Sequence, residues 1–104
     1  MGKASRDKGK RGELEIDHIL SARNIPFTRD LDGRTQKYGD FLLPSTALEA
    51  RRRETLSLTA WSKAHEEKVP DHLIPAVAYR TNGQPWRVSL PLDDYLDLLE
   101  EAGR

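Results

Sequence analysis

The sequence predicts an α/β sandwich, also describable as α+β, in which a mixed central sheet is covered by helices in the order αβββαββα. Three observations predict it. Two segments carry apolar residues at helical spacing: Ile16, Ile19 and Leu20 in one, and Leu92, Tyr95, Leu96 and Leu99 in the other. The run Ile74 to Tyr79 is nearly all apolar, as in a strand buried on both faces. Two turn signals, Pro44-Ser45 and Asn82-Gly83, each separate a pair of strand-like runs. Elements of these kinds bury their apolar sides by stacking in layers.

The first helix is expected from Lys8 to Arg23, behind a flexible basic arm over residues 1–7. Glu13 lies roughly 60° from Ile16, on the Leu20 side of the apolar stripe. Leu14 and Glu15 point further from it. A carboxylate beside a buried face needs a partner or a metal; the plain alternative is a Glu that turns to solvent. Asn24 to Pro26 ends the helix, and Ile25 to Arg29 suits a short strand. Asp32-Gly33 marks a turn in the polar stretch that follows. Asp40 to Leu43 and Ala47 to about Arg52 form the next two strands, joined as a hairpin. Gly39 marks a place where the backbone is unusual or closely approached.

The second helix is expected from Leu56 to Val69, with Ser57 as N-cap and Leu58, Trp61, Ala64 and His65 on its inner face. After the strand Ile74–Tyr79 and its turn, Trp86, Val88 and Leu90 alternate with Arg87 and Ser89, as in a strand with one buried face. Pro91 suits the first position of the last helix, Asp93 and Asp94 favour its N-terminus, and Gly103 suits its end.

A chain of 104 residues suffices for one compact domain, placed at residues 8–104, and not for two. No apolar run of about 18 residues is present, so no membrane-spanning helix is expected. Met1 to Gly12 is polar and basic, unlike a secretory leader, and a cytoplasmic setting is expected. With no cysteine, disulfides and thiolate metal sites are excluded. The formal net charge of zero argues against a uniformly basic nucleic-acid binder. Its distribution is uneven, however. Residues 1–12 carry a net +4 and residues 92–104 a net −4. The basic arm and the run Arg51-Arg52-Arg53 suit a phosphate backbone.

Asp40 opens one strand of the hairpin and Glu49 lies on the next, so the two meet near one end of it. Carboxylates that close repel unless they share a proton or a metal. Oxygen ligands select hard ions, and Mg²⁺ or Mn²⁺ is the expected occupant. Arg51 follows Glu49 by two positions and shares its face, where its charge would meet a phosphate. His18, His65 and His72 lack a compact metal-ligand spacing, and surface or boundary positions are expected for them. Trp61 and Trp86 are expected to fill the core.

The segments Lys8-Gly9-Lys10-Arg11-Gly12-Glu13, Gly39-Asp40 and Glu49-Ala50-Arg51 resemble, in their order and spacing, the motifs of PD-(D/E)XK nucleases. They are most similar to the small Holliday-junction resolvases of archaea and bacteriophages, over roughly residues 8–99. The resemblance implies a restriction-endonuclease-like core and a Mg²⁺- or Mn²⁺-dependent endonuclease that cuts branched DNA as a two-fold homodimer. A cytoplasmic setting is expected, inside a bacterial host if the chain is phage-encoded, with no membrane partner. Glu13, Asp40, Glu49 and Arg51 would be catalytic; Asp40, Glu49, the Ala50 carbonyl and Glu13 would hold the metal. Lys8, Lys10, Arg11, Arg34, Lys37, Arg52 and Arg53 are the candidate DNA contacts.

Two positions depart from the family pattern. Gly39 stands in place of proline, and Arg51 in place of lysine. Arginine stays protonated and cannot act as a base, although it can hold a phosphate in bidentate fashion. Lys63 on the second helix is an alternative lysine, read here as a surface residue. Two readings compete with a nuclease: a DNA-binding module of the same fold that does not cleave, and an interaction protein whose acidic C-terminal helix meets a partner.

Overall fold

The computed structural model describes residues 3–29 and 38–104, residues 3–8 by backbone alone. Its elements are α1 (Lys3–Ala22), β1 (Thr28–Arg29), β2 (Phe41–Leu42), β3 (Thr46–Arg52), α2 (Leu58–Lys68), β4 (Ile74–Arg80), β5 (Arg87–Ser89) and α3 (Leu92–Ala102). The architecture is α+β, with a mixed five-stranded sheet in the spatial order β1-β2-β3-β4-β5. Strands β3 and β4 are parallel and the other neighbouring pairs antiparallel. Parallel strands need a long connection, and α2 supplies it.

Alternation along β3 gives the sheet two faces. Leu48 and Ala50 point to one face, and Ala47, Glu49 and Arg51 to the other. Helix α1 covers the first. Its buried Ile16 and Leu20 pack with Phe41, Leu48, Ala50, Ala76 and Ala78, and Ile25, Phe27, Leu43, Trp86 and Leu90 close the rim. Gly12 lets the helix approach closely, because a Cβ there would lie 2.9 Å from Arg52 Cβ. Helix α2 covers the second face and buries His65. None of the helices is long and apolar enough to cross a membrane, among the described residues.

Several expectations change in detail. Helix α1 begins at Lys3 rather than Lys8, since residues 3–8 contain no Gly or Pro and include the good helix formers Lys3, Ala4 and Arg6. Glu15, expected to point away, is anchored on the sheet. Its carboxylate accepts hydrogen bonds from Arg80 and from Trp86 Nε1 at 3.0 Å, and faces Arg52 Nη1 at 3.4 Å. On the other flank, Glu13 and Asp17 pair with Arg29 of β1 at 3.8 and 3.0 Å. Both flanks of α1 are thus pinned by sheet arginines, contacts that helical periodicity does not encode.

On α2, Ala64 is exposed while Val69, just past the helix, is buried. Ser57 occupies the N-cap position without a side-chain cap bond. Val88 is 55% exposed, against the expected buried face of the fifth strand. The stripe of α1 lies over β3, which leaves the middle of edge strand β5 uncovered. Helix α3 is also corrected in its role. It buries no side chain, and Leu92, Tyr95 and Leu96 are exposed, because α2 already packs on the second face over β4.

Candidate active site

The hairpin register places the two expected carboxylates together. Phe41 pairs with Leu48 and Leu42 with Ala47, so one step further along the same ladder sets Asp40 opposite Glu49. Both belong to the sheet face under α2. Asp40 Oδ2 accepts the backbone N–H of Ala50 at 2.8 Å, which fixes the carboxylate against β3. The chain enters this position through Gly39, whose φ of +138° lies in the region that favours glycine. A Cβ there would stand 3.0 Å from the Leu48 carbonyl oxygen and 3.1 Å from His65 Cε1.

Glu49 is a buried carboxylate surrounded by cations. Arg51 Nη2 lies 3.0 Å from Oε2, and Lys68 Nζ 3.3 Å from Oε1. The Arg51 guanidinium also sits over the ring of Trp61, 5.9 Å from its centroid, a distance at which cation–π attraction acts. His65, 2% exposed, has Nε2 at 2.8 Å from the Ala47 carbonyl oxygen. A carbonyl only accepts, so Nε2 carries the hydrogen. The buried Nδ1 then faces Glu49 Oε1 at 3.9 Å and makes no hydrogen bond among the described residues.

Burial pushes the Asp40 carboxyl above its ordinary pKa, and the charge of Glu49 adds to the rise; the Ala50 N–H, Arg51 and Lys68 offset part of it. The folded state therefore holds this proton more tightly than the unfolded chain. Asp40 favours folding below the ordinary carboxylate pKa and loses that contribution as pH rises through its raised value. Asparagine keeps an oxygen for the Ala50 N–H and removes the charge. Asp40→Asn is thus expected to melt at a higher temperature than the wild type at pH 7, with the gain vanishing below about pH 3.5. Thermal melts across pH check this, and a variant less stable at pH 7 contradicts it.

Family models, curated proteins and solved structures offer no match to this chain.

Of the residues singled out in the sequence, the fold unites Asp40, Glu49 and Arg51. Ala50 meets Asp40 through its N–H, whereas its carbonyl was the expected metal-facing group. Glu13 does not join them. It sits on α1, on the opposite side of the sheet from Glu49, and pairs with Arg29 at 3.8 Å. Arg52 likewise turns to the α1 side and is engaged by Glu15, and Arg53 donates to the Arg52 carbonyl at 3.1 Å. Lys10 and Arg11 are exposed on α1. Arg34 and Lys37, and the side chain of Lys8, lie outside the described residues. Lys63 is exposed, as expected of a surface lysine.

Lys68 and His65 are the residues sequence reading missed. His65 was placed on the inner face of its helix but otherwise treated as a boundary residue. A signal exists: Glu49 faces the side of β3 that the crossover helix covers, so its partners come from that helix, and His65 and Lys68 are three apart on it.

Asp40 and Glu49 offer oxygen donors, the kind that a hard dication takes. Among the described residues no three acidic or histidine side chains converge on one point. Mg²⁺, however, commonly binds through one or two carboxylates and keeps several waters. The mutual repulsion that helps raise the Asp40 pKa is what a shared dication relieves. Asp40 and Glu49 are the residues that would hold it.

Proposed function

We propose that this chain is a metal-dependent endonuclease that hydrolyses DNA phosphodiesters in branched DNA, as Holliday-junction resolvases do, on a restriction-endonuclease-like core. The observation that carries this reading is the carboxylate pair: Asp40 held by the Ala50 N–H at 2.8 Å, opposite Glu49 on the neighbouring strand. The order of elements and the parallel β3–α2–β4 unit support the fold half of the proposal.

A Mg²⁺ or Mn²⁺ ion held there would polarise the phosphate and lower the pKa of a bound water. The chain's own residues do the rest. Asp40, one residue before β2, and Glu49 on β3 orient the site from one end of the hairpin. Arg51 and Lys68 keep positive charge beside them, where charge builds on the phosphorane. Symmetric cutting of two strands calls for a two-fold dimer, and the exposed Leu92, Tyr95 and Leu96 of α3 offer it an apolar surface.

A second reading, DNA binding without cleavage, draws on one observation: both oxygens of Glu49 already face a cation. One assay separates the two. A labelled four-way junction is incubated with wild type, Asp40→Ala or Glu49→Ala in Mg²⁺, Mn²⁺ or chelator. Cleavage is expected with wild type and metal only. Undiminished cleavage by either variant removes that residue from the role, and tight binding with no product in any metal supports the second reading.

A further inference from the structure

We propose that Lys68, the last residue of α2, is the side chain that contacts the scissile phosphate, and that Arg51 is a positioning residue that holds Glu49. The proposal rests on the nuclease reading above and divides its two cations by what each is attached to.

Glu49 carries one cation on each oxygen, and the two are held differently. Arg51 lies closer, at 3.0 Å, with its side chain 32% exposed. Its guanidinium is bounded by the Trp61 ring, and its Nε is buried. It grows from the middle of the sheet, two residues from its partner. A planar fork fixed by a carboxylate on one side and a ring near its face has little freedom to follow a substrate. Lys68 lies further, at 3.3 Å, and is 50% exposed. Its ammonium sits on a flexible four-carbon stem and has three donors that reorient freely. The charges of Arg51 and Lys68 both act on Asp40, so each stands within electrostatic reach of both carboxylates, and Lys68 is the more exposed of the two. A phosphodiester entering beside Asp40 and Glu49 brings negative charge from that side. Lys68 can swing onto a non-bridging oxygen while Arg51 keeps Glu49 paired through Oε2, whereas moving Arg51 would take the closer cation from Glu49 and also draw the guanidinium away from the Trp61 ring.

The test combines a rate with a binding slope. Wild type, Lys68→Gln, Lys68→Arg and Arg51→Gln are compared in single-turnover junction cleavage and in DNA binding across a salt series with Ca²⁺ in place of Mg²⁺. Lys68→Gln is expected to cleave about 100-fold more slowly at saturating DNA. Its slope of log K against log salt should fall by about 0.9, the loss of one phosphate contact. Lys68→Arg should restore part of both. Arg51→Gln should slow cleavage and leave the slope unchanged. Lys68→Gln cleaving within about threefold of wild type with an unchanged slope overturns the proposal. Should the wild type not cleave, the nuclease reading fails by itself, and the slope decides on Lys68: a drop of about 0.9 upholds the phosphate contact and no change overturns it.

Discussion

Glu49→Gln is expected to lower the single-turnover rate of metal-dependent cleavage on the order of 10³-fold or more. Glutamine preserves the volume of a side chain that is 8% exposed, so the packing under α2 stays in place. What it removes is the negative charge, and every role assigned to this residue depends on that charge. A neutral amide is a poor ligand for a hard dication, so Mn²⁺ affinity read by electron paramagnetic resonance should weaken at least tenfold. Arg51 and Lys68 would face an uncharged oxygen and nitrogen in place of a carboxylate. Both are partly exposed and can turn to water, so the stability cost is about 1–2 kcal/mol and not that of a fully buried ion pair. Cleavage within tenfold of wild type, with the protein folded, would show that Glu49 is a structural anion and that the carboxylate pair is not the centre of the chemistry.

The second large effect is on stability. Gly39→Ala is expected to cost about 2–3 kcal/mol, seen as a drop of roughly 10–20 °C in melting temperature. Two causes add. The backbone at Gly39 has φ +138°, a conformation strained for any side chain. The added methyl would also press on the Leu48 carbonyl oxygen at 3.0 Å and on His65 Cε1 at 3.1 Å. His65 cannot give way easily, because it is buried and tied to the Ala47 carbonyl. Relief has to come from moving the Gly39–Asp40 segment, so cleavage should fall more than stability alone explains. A variant with wild-type urea midpoint would mean that β2 and α2 are loosely packed here.

How far the molecule is legible from its sequence differs between elements. Helices α1, α2 and α3 and the five strands occur where periodicity and turn signals put them, with shifted ends. Glu13 is the instructive miss. Its angle of roughly 60° from Ile16 placed it beside the buried face, but the angle does not say which strand lies next to it. That strand is β1, which offers Arg29. The exposed stripe of α3 is a miss of another kind. Leu92, Tyr95 and Leu96 announce an amphipathic helix correctly, yet amphipathicity does not reveal whether the sheet has a face left to cover.

The carboxylate pair was readable because it rests on local rules. Strand alternation sets the face of each residue, and the turn between Leu43 and Thr46 sets the register that brings Asp40 opposite Glu49. The sequence by itself therefore determined the elements and this pair, with Arg51 beside it on the same strand. Only the tertiary structure decided that Lys68 and His65 complete the surroundings of Glu49, and that Glu13, Glu15 and Arg52 serve to fasten α1. The physical reason is the crossover. Helix α2 returns over the sheet between parallel strands, and the depth and turn at which it settles depend on packing across the whole layer, which no short stretch of sequence encodes.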